Sequence, residues 1–272
     1  MVIKESRINE RIEWTIDDPK NGNSLGLRVY ERFDELLSSL EDECQRIIFT
    51  AQSGRPPARL LVIRSKKAGR QENPIWIAGG NLKELADFDP HAARAYAQKY
   101  SLLCRRLMSL PIPVLFAMDG QVIGGGVELA LFGDVRFATS STSFAFKQLK
   151  LGLSMGYCSS SRLSELVGPA TAMDYLLLQK VVSSKELLAK GLIQKEVLGV
   201  QELDCAVERF GAKLAQLEPL AVAMQKRMLY RNYLSRTDHI EGDLDDFTSL
   251  WKNPTHKRFL NRFLNGKQSD ET

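Results

Sequence analysis

No stretch of this 272-residue chain approaches the roughly 18 consecutive apolar residues of a membrane span, so no membrane association is expected. Histidine is nearly missing: His91, His239 and His256 are too few for a histidine-rich metal site, and no metal is expected. The four cysteines, Cys44, Cys104, Cys158 and Cys205, lie far apart with no CxxC pair. That spacing suits buried free thiols in a reducing cytoplasm better than a disulfide or zinc framework. The opening residues, Met1-Val2-Ile3-Lys4-Glu5-Ser6-Arg7, lack the apolar core of a signal peptide, which also favours the cytoplasm. The net charge of +4 is mild, and apart from Arg64-Ser65-Lys66-Lys67 and Lys257-Arg258 the basic residues are scattered. A nucleic-acid surface would concentrate them with aromatics between, so nucleic acid is not an expected partner. Phosphate and hydrolase signatures are missing too. Gly124-Gly125-Gly126 fails GxGxxG because residue 129 is Leu, and there is neither a Walker loop nor a GxSxG elbow. The cluster Ser159-Ser160-Ser161 has no histidine nearby.

What is present is ordinary globular composition, 44% hydrophobic and 26% charged, enough for a substantial core. Arg11 to Ile16 alternates as a strand does, and Asp18 to Asn23 reads as a loop. Leu27 to Leu40 carries apolar residues at helical spacing. The Gly54-Arg55-Pro56-Pro57 region suggests a surface insertion, followed by short buried strands at Leu60 to Ile63 and Ile75 to Ile77. A helix begins near Leu82, and His91 to Leu110 forms a long amphipathic one that stops before Pro111. Strands at 113–118 and Val135 to Ala138 flank the triple glycine. Helices follow at Ala170 to Leu178, Lys185 to Lys190, 202–233 and Asp245 to Phe263, with a frayed polar tail from Gly266. Strand–helix alternation predicts an α/β core over residues 1–200, with a helical region over 201–272.

The segment Asp119-Gly120-Gln121-Val122-Ile123-Gly124-Gly125-Gly126-Val127-Glu128-Leu129-Ala130 is the most informative. Three glycines between a buried strand and a helix beginning at Val127 let the backbone approach a ligand closely. The first N–H groups of that helix have no intrahelical acceptor and carry the positive end of its dipole. Such a junction holds an anion, including one formed only during a reaction. Glu128, one or two residues into the helix and enclosed by Val127, Leu129, Ala130, Leu131 and Phe132, is a carboxylate in apolar sequence. Burying it costs several kcal/mol unless it is paired or protonated, and such acids are often catalytic. The plain alternatives are a flexible turn and an acid that merely complements the helix dipole.

Ala78-Gly79-Gly80-Asn81-Leu82 repeats the pattern of strand, small residues and helix start, so two junctions could direct two N–H donors at one oxygen. Together with Gly124 to Asp134 it carries a resemblance: over residues 10–265 the sequence resembles the crotonase (enoyl-CoA hydratase/isomerase) superfamily. Asn21-Gly22-Asn23-Ser24-Leu25 is similar to an early Asn-Ala-Leu element. Residues Ala78 to Leu85 resemble Ala-Gly-Ala-Asp-Leu-Lys-Glu-Met, and Asp119 to Asp134 resembles Asn-Gly…Gly-Gly-Gly…Glu-Leu…Cys-Asp. Arg162-Leu163, Val167-Gly168 and Ala189-Lys190-Gly191-Leu192-Ile193 follow in family order. The resemblance implies a spiral of ββα units, a C-terminal helical trimerisation region, a homotrimer or hexamer, and acyl-CoA substrates. Coenzyme A then enters as part of the substrate, with no separate cofactor. It further implies an oxyanion hole from the N–H groups of Gly80 and Gly125, with Gly124 beside it and the loop from Ala78 through Gly79 and Asn81 to Leu82 lining CoA.

The second glutamate of family hydratases is replaced here. The segment Phe144-Ala145-Phe146-Lys147-Gln148-Leu149-Lys150-Leu151-Gly152 carries Gln148 at that position. An amide orients water or a substrate oxygen but does not exchange a proton. The family's Pro-Gly-Gly-Gly stretch has become Met155-Gly156-Tyr157-Cys158-Ser159. Three outcomes stand open: hydratase-like chemistry with Glu128 as the one acid/base; decarboxylation of a malonyl-type thioester, with Tyr157 and Lys147 as contacts; or a non-catalytic acyl-CoA binder, or a member recruited to RNA or protein. Asp134 is expected to be structural.

Overall fold

The computed structural model describes residues 2–49, 58–69 and 74–269; the expected insertion around Gly54-Arg55-Pro56-Pro57 and the last three residues of the tail lie outside them. Among these residues the strands are β1 (Ile3–Ile8), β2 (Arg11–Ile16), β3 (Leu60–Ser65), β4 (Ile75–Ile77), β5 (Val114–Met118), β6 (Gln121–Ile123), β7 (Val135–Thr139), β8 (Ser143–Ala145), β9 (Val181–Ser183) and β10 (Lys195–Val197). Helices of the first half are α1 (Leu27–Phe49), α2 (Leu82–Leu85), α3 (Pro90–Ser109) and α4 (Gly125–Ala130). Those of the second half are α5 (Ser160–Val167), α6 (Pro169–Leu177), α7 (Ser184–Ala189), α8 (Val200–Leu214), α9 (Pro219–Ser235), α10 (Asp238–Lys252) and α11 (Pro254–Ser269).

The strands form two sheets, one ordered β1-β2-β3-β5-β7-β10 and the other β4-β6-β8-β9. Successive turns of the chain lay one strand on each sheet: β3 then β4, β5 then β6, β7 then β8. The result is a mixed α/β spiral in which β4, β6 and β8 run parallel side by side. Apolar runs without alternation mark the strands buried on both faces. In β3, Leu61 and Ile63 join the main core, while Leu60 and Val62 face Leu203, Ala206 and Val207 of α8. In β5, Val114, Phe116 and Met118 enter the first cluster, and Leu115 and Ala117 the second.

Helix α1 runs past the expected Leu40 to Phe49, because Cys44 continues the buried stripe of Leu36, Leu37 and Leu40 one turn further. Strand β1, not expected from the sequence, is an edge strand with only Ile3 buried. The strands β6, β8, β9 and β10 have three residues each, too few to show a period. Three cysteines are buried and free, but Cys205 is exposed on the outer face of α8, which corrects the expectation of four buried thiols.

The C-terminal helices bury into the same core as the spiral: Tyr233, Leu244, Phe247 and Trp251 belong to the main cluster. Helix α10 lies along α3, and α11 packs on α2 and on the 3-10 turn at residues 148–151. The Trp251 indole donates to the Phe88 carbonyl (3.0 Å). A buried ion pair docks α9: Lys226 Nζ meets Asp134 Oδ2 at 2.7 Å and also donates to the Ile112 carbonyl. Asp134 accepts from Val114 N–H at 2.6 Å as well, so it ties β5 to α9. No helix among the described residues is long and apolar enough to cross a membrane.

Candidate active site

Because β4 and β6 are parallel neighbours, the chain leaves both at the same end of the sheet, and the two junctions meet there. Each junction is pinned by its backbone. Leu25 N–H donates to Gly79 O (2.6 Å), and Ala78 N–H to Gly22 O (3.0 Å). Gly124 N–H donates to Ala145 O (2.9 Å), and Gly124 O accepts from Val127 and Glu128 N–H. Gly79 adopts φ +83°, and a Cβ there would lie 2.6 Å from the Ile123 carbonyl oxygen and 3.0 Å from Gly125 N. Only glycine allows this contact between the two loops.

Helix α4 therefore starts at Gly125, two residues earlier than the sequence suggests, and Glu128 is its fourth residue. Gly125 N–H, first in the helix, has no intrahelical acceptor. Gly80 N–H donates to no acceptor among the described residues, since the bridge to Leu25 uses the Gly79 carbonyl. Asn81 caps α2, accepting from Glu84 N–H, and the Glu84 carboxylate in turn accepts Leu27 N–H (3.1 Å) at the start of α1. Leu82 is partly buried against the core. The loop from Ala78 to Leu82 is thus held by α1 on one side and α4 on the other.

Glu128 is 2% exposed. Its Oε1 accepts from Gln148 Nε2 (3.0 Å) and Gly156 N–H (3.2 Å). Its Oε2 accepts from Tyr157 N–H (2.8 Å) and Ser159 Oγ (2.7 Å). A carboxylate has about four acceptor positions, and four donors fill them. Burial pushes its pKa above the ordinary 4.5, and the donors from Gln148, Tyr157, Ser159 and Gly156 offset part of that rise. Since Glu128 takes the Gln148 amide nitrogen, Gln148 Oε1 is left buried with no partner among the described residues.

Tyr157 runs from this carboxylate to the glycines. A Cβ on Gly125 would lie 2.7 Å from its hydroxyl oxygen and 3.0 Å from its ring, and a Cβ on Gly80 would lie 3.3 Å from the Tyr96 hydroxyl. The two phenol oxygens are 2.7 Å apart. Tyr96 Oη donates to the Leu25 carbonyl (2.6 Å); its one proton is committed, so Tyr157 is the donor between the phenols. Tyr100 stacks on the Tyr157 ring at 4.8 Å. Lys147 is not part of the group, since its ammonium is held by the Gln179 carbonyl (2.7 Å).

A family profile described as enoyl-CoA hydratase/isomerase matches residues 69–270. The chain belongs to that family. Among its relatives is a short-chain-enoyl-CoA hydratase of Clostridium acetobutylicum, 26% identical over 80% of this chain and 76% of that protein. The human mitochondrial methylglutaconyl-CoA hydratase is 32% identical over 68% of this chain, and the match spans about half (53%) of that protein. A crystal structure of enoyl-CoA hydratase from Bacillus halodurans superposes with a TM-score of 0.82, covering 96% of this chain and 99% of that one at 20% identity, which supports the crotonase fold.

Several residues of this crotonase-family site were not legible in the sequence. Ser159, Gly156 N–H and Tyr157 N–H reach Glu128 from 28 to 31 residues downstream. The serine cluster has no histidine beside it, yet one of its members, Ser159, serves a carboxylate. Tyr96 and Tyr100 share one face of α3 at i, i+4, a spacing that reads equally as core. Two guanidinium groups hold the far end of α4. Arg136 donates to Gly133 O (2.7 Å) and Leu192 O (2.5 Å), and Arg162 to Leu131 O (3.2 Å). Positive charge at a helix C-terminus complements its dipole, and burial lowers the Arg136 pKa to about 10.

Proposed function

We propose that the chain binds an acyl-CoA thioester with its carbonyl oxygen between the N–H groups of Gly80 and Gly125 and stabilises an enolate there. The observation that carries this reading is the contact of two strand–helix junctions, each with an N–H that has no acceptor in the described protein. Enolate formation places negative charge on the thioester oxygen, and each preorganised donor contributes roughly 3–4 kcal/mol to that state. The loop from Ala78 to Leu82 lines the CoA in this reading. A homotrimer or hexamer belongs to the same proposal; Met173, Leu177, Leu178 and Val181 are exposed apolar side chains available to a second copy.

Within this site Glu128 is the acid/base of a single-carboxylate hydration. With four donors on its carboxylate, water addition requires one to yield. Gln148 is the partner that can rotate away and then orient the water. A second reading is favoured by that same saturation: chemistry without a strong base, either decarboxylation of a malonyl-type thioester or binding without turnover. Loss of the conjugated-thioester absorbance of crotonyl-CoA is the expected result. CO₂ release from methylmalonyl-CoA without hydration selects the second reading, and thioester binding without either reaction selects the non-catalytic one.

Gln148→Glu sharpens the test. It places a second carboxyl about 3 Å from the first, where the two share one proton. Crotonyl-CoA hydration is expected to rise about 10²-fold with the restored proton donor, and the gain to vanish as rising pH ionises both groups. A variant that hydrates no faster than the parent at any pH shows a pocket shaped for other chemistry.

A further inference from the structure

The phenol pair lies beside the two glycines whose N–H groups are proposed to hold the thioester oxygen, 2.7 Å and 3.3 Å from where a Cβ on Gly125 and on Gly80 would stand. One hydroxyl stands over Gly125 and the other over Gly80, and only one of the two protons is free to be redirected. Tyr96 is fixed as donor to Leu25 O at 2.6 Å. Tyr157 gives its proton to another neutral hydroxyl, a bond it can exchange by rotating about its Cζ–Oη axis. The Tyr157 ring itself cannot swing. It is stacked on Tyr100 at 4.8 Å, set edge-on to Tyr96, and anchored through its own N–H to Glu128 at 2.8 Å.

We infer that Tyr157 is a catalytic residue of this site: its hydroxyl leaves Tyr96 and donates a third hydrogen bond to the thioester oxygen as that oxygen becomes an enolate. This rests on the thioester site proposed above. The energetic argument is differential. Toward the neutral carbonyl, Tyr157 would exchange one neutral hydrogen bond for another and gain little. Toward the enolate oxygen the bond is charge-assisted and about twice as strong. The interaction is therefore realised as charge develops, which raises turnover without tightening substrate binding. Burial keeps both phenols protonated, with the Tyr157 pKa raised well above 10. Tyr157 can therefore donate but does not act as a base. No proton is transferred: it stays on Tyr157 and only its acceptor changes.

The test uses acetoacetyl-CoA, whose enolate has its own ultraviolet band, with butyryl-CoA as a ligand of similar size that does not enolise readily. The wild-type protein is expected to bind acetoacetyl-CoA as the enolate at a pH where the free ester is largely neutral. Tyr157→Phe keeps the stacked ring and removes only the hydroxyl. It should weaken the enolate preference about tenfold, the difference between a charged and a neutral hydrogen bond, and leave butyryl-CoA affinity within about threefold. Tyr96→Phe removes the competing acceptor and should keep the enolate band. An unchanged band in Tyr157→Phe overturns the assignment. Equal loss in both variants also overturns it, since the pair would then act through packing alone. Failure of the wild type to bind either ester is a different result, which removes the thioester site itself.

Discussion

Replacing Glu128 by Gln is expected to lower crotonyl-CoA turnover by about 10²–10⁴-fold, the usual contribution of a positioned acid/base, while CoA itself binds within a few-fold of the parent. The same substitution is expected to unfold more easily. Glutamine keeps the size of the side chain, but one of its two polar atoms becomes a donor facing donors. Gln148 can turn its orphan oxygen to meet the new amide. Gly156 N–H on the same side, or Tyr157 N–H on the other, cannot, whereas the Ser159 hydroxyl can turn to accept. The one stranded donor costs about 1–3 kcal/mol, or about 2–12 °C in Tm for a chain of this size. Calorimetry for CoA and thermal melts separate the two effects. Parent-like turnover would remove Glu128 from the chemistry, and a parent-like melt would contradict the four-donor geometry.

Protonation of Glu128 has a sign that follows from burial. Its folded pKa lies above the ordinary 4.5, so the folded protein holds this proton more tightly than the unfolded chain does. Stability from this group is therefore fully present below 4.5 and is lost as pH rises through the folded pKa. The base form is lost over that same window. The acid limb of turnover should accordingly lie above the range of exposed carboxylates.

The second large effect is expected for Gly79→Ala. The new methyl would face the Ile123 carbonyl oxygen at 2.6 Å and Gly125 N at 3.0 Å, and both are main-chain atoms that cannot rotate aside. The residue would also hold φ +83°, a strain of order 1–3 kcal/mol for alanine. The two junctions must part, and turnover and thioester affinity should each fall by about 10²-fold or more, as when an oxyanion donor is lost. Gly191→Ala is the control, since Gly191 has φ +73° with nothing within 4 Å of a Cβ. It should carry backbone strain alone and keep its activity. If the two variants lose activity equally, contact between the loops is not what aligns the donors.

The parts of the fold that could be read from sequence were those with enough residues to declare a period or a break. Arg11 to Ile16 alternates, Leu60 to Ile63 is apolar on both faces, and α3 closes before Pro111 as its composition requires. The glycine-bearing junctions stood out because small residues between a strand and a helix have few other uses. Three-residue strands such as β6 and β8 carry no such signal, and they owe their form to the neighbours that pair with them. The environment of Glu128 was likewise hidden. Composition suggested a bare acid in apolar sequence, whereas its partners arrive from residues 148–159. The pairing of Tyr96 with Tyr157, 61 residues apart, depends wholly on how the spiral closes.

That β4 and β6 are adjacent rungs of one ladder has an evolutionary consequence. In the proposed site the groups that grip the thioester are main-chain N–H groups whose spacing the sheet dictates, so side chains that do not enter the contact between the loops can be exchanged around them. Positions such as Gln148 and Tyr157, which carry side chains and not the cradle itself, are then open to substitution without rebuilding it. A lineage founded on such a scaffold can change its reaction long before it loses its ligand.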